Sequence, residues 1–341
     1  MGRYPFLALL EVYLKEVRGA CADSTFSEMK RKLEYVHRVL LELKSKGLID
    51  ITNPRKIGER DIFGFVSWMN ARDGLRSRPL ELSAQKKLLQ HLENFLTYWD
   101  NCVIERMVKK KQLKRPRESN VPLESFEESQ KVSLITALKD AAQSESMDAL
   151  GVFGHAVFCG YAGTRLKEIR LANKGDFSSA QWELTIRHPK GEGAWADPRT
   201  AMVCLPGRDL VTNYMACRER ELKRRNIEDN RDIPLVPRFT GTGAERWPDG
   251  ILHNVKVEVE RRLGLRFDFR KLRRSYGQNL LDAGVSLESV SKAMGHASVL
   301  TTQRYYVRLR SARAFAEIEQ VYASASAEVI PVDCGKARCS E

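Results

Sequence analysis

The sequence has no long apolar run and no paired-cysteine motif, and each absence excludes a class of protein. No apolar stretch approaches the roughly 20 residues of a membrane-spanning helix, so no membrane span is expected. The first residues, Met-Gly-Arg-Tyr-Pro-Phe, lack the apolar core and cleavage site of a signal peptide. The seven cysteines are scattered, odd in number and without a Cys-x-x-Cys. That pattern favours reduced thiols in a cytosolic protein over a disulfide framework or a zinc site.

The sequence also lacks the patterns that hold phosphates or metal ions. It contains no glycine-rich loop ending in Gly-Lys-Ser/Thr, no carboxylate cluster for Mg²⁺ and no His/Cys set for zinc. We therefore expect no metal and no cofactor, so any chemistry has to come from the side chains of the chain itself.

Positive charge is what the sequence has in excess. There are 57 lysines and arginines against 44 aspartates and glutamates, which gives a formal net charge of +13 and a pI of about 9.4. This balance suits a polyanionic partner such as DNA, although charge alone fits a merely basic protein as well. With 341 residues, 43% of them hydrophobic, the chain is long and apolar enough for two folded domains.

Apolar residues recur every three or four positions through the first hundred residues, which predicts a small helical bundle. Four helices are expected, at about 7–17, 25–46, 60–72 and 83–101. Thr25 and Glu28 have the spacing of a capping box at the start of the second helix, and Gly47 is expected to end it.

A basic segment follows the bundle at 103–120, and Pro116 interrupts it. We interpret it as a linker that tracks a phosphate backbone, although a solvated run of charge would look the same. The expected DNA contacts are Lys109, Lys110, Lys111, Lys114, Arg115 and Arg117.

The remainder reads as mixed helix and strand. Helices are expected at 125–143, 148–160, 209–226 and 255–263, and a Pro/Gly-rich loop at 233–247. Two strands, at 182–187 and 200–205, flank turn residues around Lys190. An Ala-rich helix at 311–325 carries a narrow apolar stripe, and the last residues read as a frayed tail.

The stretch from Arg270 to Tyr306 carries the strongest chemical signal. Arg273 offers a guanidinium fork that fits a phosphate, and His296 follows a glycine that lets backbone come close. Tyr305 comes nine residues after His296, and a phenol near cations is a poised oxygen nucleophile. Tyr306 competes with Tyr305 for that assignment.

This stretch resembles the tyrosine recombinase (phage integrase) family, whose second sequence box runs His-x-Leu-Arg, then Gly-His, then the nucleophilic tyrosine. Here the box reads Leu272-Arg273, Gly295-His296 and Tyr305, with Arg270 at the position of the first histidine. Arginine does not release a proton near neutral pH, but it can hold a phosphate oxygen. The segment 161–169 is similar to the first box of the family, with Arg165 and, three residues later, Glu168.

The resemblance implies a mainly α fold with a small antiparallel β-sheet. It implies an N-terminal four-helix core-binding domain of the SAM-like type at 1–107 and a basic linker at 108–122. An α+β catalytic domain is then expected at 123–325 and a flexible tail at 326–341. The match is by motif from about 125 to 322 and by architecture alone before that.

By the same resemblance, Tyr305 attacks a DNA phosphate and forms a 3′-phosphotyrosine. The two arginines Arg165 and Arg273 would hold the non-bridging oxygens, and Lys190 would protonate the leaving 5′ oxygen. His296 and Arg270 would add positioning and a phosphate contact, and Glu168 would orient its neighbours. The implied partners are duplex DNA with a specific site, three further copies of the chain in a tetramer and, at some sites, an accessory DNA-bending or directionality factor. The implied location is cytoplasmic and nucleoid-associated.

Two alternatives stay open at this point. A type IB topoisomerase-like relaxase would use the same chemistry without needing a defined site. A catalytically silent site-specific DNA-binding protein is also compatible, because Arg270 departs from the family pattern. The sequence leaves the target site, and the choice between mobile-element integration and replicon resolution, undetermined.

Overall fold

The computed structural model describes residues 5–71, 77–117, 124–144, 147–193, 196–241 and 243–306, with 315, 318–319 and 321–322. For 147 and 304–306 it describes the backbone only. The chain divides into two compact units, Met1–Asn120 and Val121–Glu341. Most of the helix expected at 311–325, all of the tail at 326–341 and the linker end at 118–122 lie outside the described residues.

The first unit is a helical bundle whose helices bury one apolar face each, as the periodicity predicts. Its helices are α1 (Pro5–Val17), α2 (Asp23–Ser45), α3 (Glu59–Met69), α4 (Leu82–Tyr98) and α5 (Val103–Lys109). The core includes Phe6, Leu33, Phe65 and Phe95, all fully buried. The expected capping box at Thr25 is wrong, because α2 begins two residues earlier and its N-cap, Ala22, has no side-chain cap bond.

The fifth helix falls where the sequence analysis placed the start of a linker. Val103, Ile104 and Met107 of α5 are buried in the core of the bundle, and so is Leu113 beyond it. The apolar positions of this segment are few and its charges many, so the charge run masked a short packing helix. The bundle therefore has five helices among the described residues rather than four.

The second unit is built around α7 (Met147–Tyr161), a helix whose sides are almost entirely apolar or small. The other helices of this unit are α6 (Glu128–Ser144), α8 (Leu166–Leu171), α9 (Arg208–Arg224), α10 (Asp249–Leu263), α11 (Phe269–Asp282), α12 (Leu287–Met294) and α13 (Val299–Tyr306). Phe153 and Phe158 of α7 are fully buried, and its glycines lie against large rings of neighbouring elements. All-round burial explains why this helix shows no polar face.

Two small antiparallel sheets complete the second unit. The first has the order β1 (Phe177–Ser178), β2 (Glu183–Ile186) and β3 (Arg199–Met202), with Leu184 opposite Ala201 and Ile186 opposite Arg199. The second pairs β4 (Arg238–Thr240) with β5 (Gly243–Glu245) inside the segment that was expected to be a loop. The mainly α fold with a small antiparallel sheet is confirmed.

No helix in the ranges that the structure describes is long and apolar enough to cross a membrane. The features that position the site are all in the second unit. These are the start of α8, the β2–β3 hairpin, the first turns of α11 and the corner between α12 and α13.

Candidate active site

Five of the six catalytic candidates line one cavity of about 920 Å³ in the second unit. The cavity is formed by the start of α8, the β2–β3 hairpin, α10, α11 and the corner after α12. The five are Arg165, Lys190, Arg270, Arg273 and His296. They lie up to 131 positions apart in the chain, between 165 and 296, so the fold alone brings them together. The cavity is wider than one phosphate and rich in cations, which suits a polyanion.

Arg165 lies at the N-terminal boundary of α8, where its backbone and side chain are both bonded to one carboxylate. Glu168 accepts a hydrogen bond from the Arg165 backbone N–H (2.8 Å) and another from its Nη1 (2.7 Å). A carboxylate three residues into a helix completes a capping box and complements the helix dipole. The Gly-x-Arg spacing of the sequence is therefore part of a helix start.

Gly163, just before this arginine, has a left-handed backbone with φ of +61° and lies against the ring of Tyr276. An added Cβ would come within 2.5 Å of that ring, so this position requires glycine. Its carbonyl oxygen accepts a hydrogen bond from Arg273 Nη1 at 2.5 Å. The tight turn thereby joins the first arginine to the second.

The C-terminus of α12 is bound by three arginines from three different elements. Nη1 of Arg199 donates to Ala293 O (2.9 Å), and Nη2 of Arg273 donates to Met294 O (2.5 Å). Nη2 of Arg165 donates to Gly295 O (3.0 Å). A helix leaves its last carbonyls without partners and carries partial negative charge there, so cations are favoured. The Gly-His corner is consequently the point at which the two motif arginines and Arg199 converge.

Glu168 balances part of this charge from a buried position, with 3% of the residue exposed. Its Oε2 lies 2.9 Å from Arg199 Nη2 and 3.7 Å from Arg273 Nη1. Burial opposes its ionisation, but the surrounding arginines hold the pKa of this carboxyl below its usual value. One carboxylate among three guanidinium groups leaves the cluster net positive, so an incoming phosphate is attracted.

His296 is half-buried beside the arginines, and its Nδ1 lies 2.7 Å from Thr302 Oγ1. Burial, reinforced by Arg273, Arg165 and Arg199, lowers the pKa of His296 to about 4. The imidazole is therefore neutral at neutral pH. Its ring N–H can donate a hydrogen bond to a phosphate oxygen without adding a charge.

Lys190 lies in the turn of the β2–β3 hairpin and its side chain is exposed at the cavity. The neighbouring His188 pairs with Glu192 (3.0 Å) on the exposed side of the same turn. At the base of the hairpin, Nε of Arg187 lies 2.5 Å from the Asp176 carboxylate. Lys190 therefore lies in the exposed turn of a hairpin whose base is held by the Arg187–Asp176 ion pair.

Arg270 lies in the first turn of α11, where its backbone N–H donates to Asp268 Oδ1 (2.9 Å). Its guanidinium side chain is exposed and lines the cavity. Tyr305 and Tyr306 belong to α13, which packs against α12 and α11. Their side chains lie outside the described residues, so the nucleophile assignment stays a prediction.

Three groups at or near the site were not among the sequence-based candidates. Arg199 and Thr302 are mostly buried and bond directly to cluster residues, while His253 of α10 lines the cavity. An arginine at the start of a strand ordinarily points to solvent, so nothing in the sequence singles out Arg199. Thr302 lies in the sequence Thr301-Thr302-Gln303. Which of these side chains faces His296 depends on the angle between α12 and α13, which the sequence does not give.

The six basic residues predicted for the linker are all exposed, and all belong to the first unit. Lys109 pairs with Glu105 (2.9 Å), Lys110 with Glu59 (3.3 Å), and Arg115 with Glu93. The other three, Lys111, Lys114 and Arg117, have no ion pair with any residue in the described ranges. Whether this segment contacts DNA stays a prediction.

Comparison with known proteins agrees with this geometry. A family model described as the phage integrase family matches residues 124–312, which is more than half of the chain. A search of curated proteins gives no match.

The solved structures that share the fold include three DNA complexes. XerH site-specific recombinase bound to difH substrate is 16% identical, with a TM-score of 0.59 over 90% of this chain and 83% of that one. The Tn1549 transposon integrase in complex with transposon right end DNA is 13% identical, with a TM-score of 0.58 over 92% of this chain and 99% of that one. A lambda integrase dimer bound to a COC′ core site is 12% identical, with a TM-score of 0.58 over 89% of this chain and 77% of that one.

Proposed function

Because this chain belongs to the phage integrase family of tyrosine recombinases, we propose that it is a site-specific recombinase that cuts and rejoins duplex DNA through a 3′-phosphotyrosine. The observation that carries the proposal is the convergence of Arg165, Lys190, Arg273 and His296 on one cavity. No two of them are neighbours in the sequence, and a function without phosphate would give no reason to concentrate three cations and an imidazole there. The structures of DNA complexes that share the fold support duplex DNA as the substrate.

The arginines are assigned to the non-bridging phosphate oxygens. Their guanidinium groups are already fixed by Glu168 and by carbonyls of the α12 C-terminus, so little reorganisation is needed when charge develops. Neutral His296 adds a hydrogen bond at the same phosphate. Arg270, exposed at the rim of the cavity, contributes a further phosphate contact but no proton.

The covalent step is assigned to Tyr305. Its phenolic oxygen bonds to phosphorus and its proton passes to solvent, while the bond from phosphorus to the 5′ oxygen breaks. Lys190 protonates that leaving oxygen, which departs as a 5′-hydroxyl. The phosphotyrosine ester conserves the bond energy, so the 5′-hydroxyl of a partner strand reseals the backbone without ATP. Two rounds of exchange pass through a four-way junction.

Exchange between two duplexes requires four active sites, and we propose a tetramer on DNA. The C-terminal segment supports a role in linking protomers. Its described apolar residues are strongly exposed, with 63% for Phe315, 52% for Ile318, 66% for Val321 and 70% for Tyr322. The sequence places Phe315, Ile318 and Tyr322 at helical spacing, and exposed apolar side chains in such a pattern are typical of a surface that another subunit covers. The basic residues at 109–117 are proposed to contact the DNA backbone. Where a target site has to be bent, an accessory DNA-bending or directionality factor is proposed as a further partner.

A type IB topoisomerase-like relaxase is the second candidate, because the same cavity would serve it. A relaxase acts as a monomer on arbitrary DNA, whereas the exposed C-terminal stripe favours an assembly. A catalytically silent DNA-binding protein would have no use for Lys190 in the cavity. This third function therefore has less support than the other two.

The test is an SDS-resistant adduct assay with labelled duplexes drawn from the DNA that flanks the gene. A nick placed near the cut lets the short 5′-hydroxyl strand diffuse away and traps the intermediate. We expect an adduct with the wild type and with Tyr306→Phe, but none with Tyr305→Phe. Adduct loss in Tyr306→Phe alone would transfer the nucleophile to Tyr306. Relaxation of any supercoiled plasmid would indicate a relaxase, and tight binding without adduct a silent binder.

A further inference from the structure

Arg199 joins the lysine-bearing hairpin to the arginine cluster. It is the first residue of β3 and pairs in register with Ile186, the last residue of β2. The turn that carries Lys190 runs between these two residues. The backbone of Arg199 therefore belongs to the base of the hairpin, while its side chain extends away from it.

The side chain ends on two groups of the site. Nη2 lies 2.9 Å from Glu168 Oε2, and Nη1 donates to Ala293 O at 2.9 Å. Only 14% of the side chain is exposed, and Arg199 does not line the cavity. Its absence from the cavity wall separates it from Arg165 and Arg273, the proposed phosphate-binding groups. Its Nη1 and Nη2 atoms both donate to acceptors within the protein.

The fit against the α12 corner is close. Gly295 has φ of +63°, and a Cβ there would lie 2.2 Å from Arg199 Nε. A glycine is thus required at this corner both for its backbone conformation and for the guanidinium beside it. The Gly-His pair of the sequence motif is shaped in part by an arginine outside the motif.

The other anchor of the hairpin base leads away from the site. Arg187 pairs with Asp176, which lies in the 3₁₀ turn before β1 and does not line the cavity. Among the described contacts of the hairpin base, those of Arg199 are the ones that reach the cluster. We propose that Arg199 is a positioning residue. It holds the hairpin, and with it Lys190, at a fixed position relative to the arginine-bound C-terminus of α12.

This inference rests on the proposed function, since it assumes that Lys190 protonates the leaving oxygen. Loss of Arg199 would leave the arginines bound to their own carbonyls but would release the β3 side of the hairpin. A displacement of about 1 Å at a reacting group can cost roughly 10²-fold in rate. The loss should therefore fall mainly on leaving-group protonation.

The experiment compares trapped-adduct rates on two matched substrates, one with the natural 5′ oxygen and one with sulfur at the bridging position. A thiolate leaves without protonation, so sulfur bypasses the lysine. Arg199→Met keeps the aliphatic packing at Gly295 and removes both hydrogen bonds. We expect it to slow adduct formation about 30- to 100-fold on the oxygen substrate and to recover most of that loss on sulfur. DNA affinity, measured by gel shift, should stay within about 2-fold of the wild type, because Arg199 is outside the cavity.

Two variants calibrate the result. Lys190→Ala should show strong recovery on sulfur, and Arg273→Ala should show none, because a phosphate contact is needed with either leaving group. Arg199→Met is expected to behave like Lys190→Ala. An equal loss on both substrates, or no loss at all, would overturn the proposal.

If Arg199→Met does not fold, as judged by near-UV circular dichroism, Arg199→Lys carries the test. A lysine keeps the charge but lacks the planar fork that reaches Glu168 and Ala293 O with separate nitrogens, so an intermediate loss with partial recovery on sulfur is expected. A variant identical to the wild type in rate and in oxygen-to-sulfur ratio would refute the two-point anchor. Failure of the wild type to form any adduct would refute the proposed function itself.

Discussion

Thr302 and His296 are joined by a contact of 2.7 Å between Oγ1 and Nδ1 across the corner that separates α12 from α13. Thr302 is fully buried, and it lies in the helix that also contains Tyr305. The contact orients the imidazole ring and at the same time fixes the start of α13 to the cluster. A single hydroxyl thus connects the phosphate-binding side of the site with the helix of the proposed nucleophile.

Thr302→Val tests this connection, because valine matches threonine in shape and removes only the hydroxyl. The Nδ1 atom of His296 would lose its partner in a mostly buried setting, which costs about 1–2 kcal/mol of folding stability. We expect the adduct rate to fall about 10-fold with DNA affinity unchanged. Urea unfolding and the trapped-adduct assay measure the two effects. Thr212→Val on the exposed side of α9 is the matched control, and an equal effect there would argue against a specific role.

Acidification should destabilise the DNA-free protein through His296. Burial and the nearby arginines lower the pKa of this group to about 4, from an ordinary value of 6.5. Below about pH 6.5 the unfolded chain binds a proton that the folded chain rejects, so stability is lost progressively as the pH falls towards 4. Urea unfolding of the wild type at about pH 7 and about pH 5 should show this loss.

His296→Gln removes the titrating group, so its loss of stability over the same interval should be smaller. Buried His155, whose pKa burial likewise lowers to about 4, remains in both proteins and sets the background. Identical pH dependence in the two proteins would mean that His296 titrates near its ordinary value.

The helices and the cluster differ in how far the sequence could predict them. Leu7, Leu10 and Leu14 recur at helical spacing, and α1 follows directly from that local pattern. Arg165, Arg273 and His296 could be paired because their motifs have a recognisable order. Periodicity and motif spacing are both properties of short segments, so they can be recognised in the sequence without knowledge of the fold.

What the sequence could not predict depends on contacts between distant segments. Arg199 acquires its role only when the fold places β3 beside the end of α12. Its partner there, Ala293, is 94 residues further along the chain. The helix α5 was missed because its three buried residues are scattered among charges, and burial there is decided by the bundle. Strands β4 and β5 were missed because each has only three residues and glycine is part of the pattern.

Glu168→Gln should separate stability from phosphate attraction. The buried carboxylate bonds to Arg165 and Arg199, so its neutralisation leaves guanidinium charge uncompensated. We expect the free energy of unfolding to fall by roughly 3 kcal/mol. Affinity for DNA should not fall in proportion, because the cluster becomes more positive. Denaturant titration and gel shifts measure the two quantities. Glu183→Gln, exposed on β2, is the control, and a parallel fall of stability and affinity would contradict the separation.

The basic segment at 109–117 can be tested through the salt dependence of DNA binding. The structure divides its six cations into two triples. Lys109, Lys110 and Arg115 pair with glutamates of their own unit, whereas Lys111, Lys114 and Arg117 have no ion pair with a described residue. Among the described residues, no carboxylate lies within ion-pair distance of the unpaired triple, so a phosphate would not have to displace one there.

Alanine substitution of the unpaired triple should lower the slope of log affinity against log salt by up to about 2.7, at roughly 0.9 for each lost phosphate contact. The same substitution of the paired triple should have a smaller effect, because its cations already share their charge with carboxylates. Both variants remove three positive charges, so the difference between them reports contact with DNA rather than net charge. Equal changes in slope would mean that only the overall charge matters, and an unchanged slope in the unpaired triple would place the DNA elsewhere.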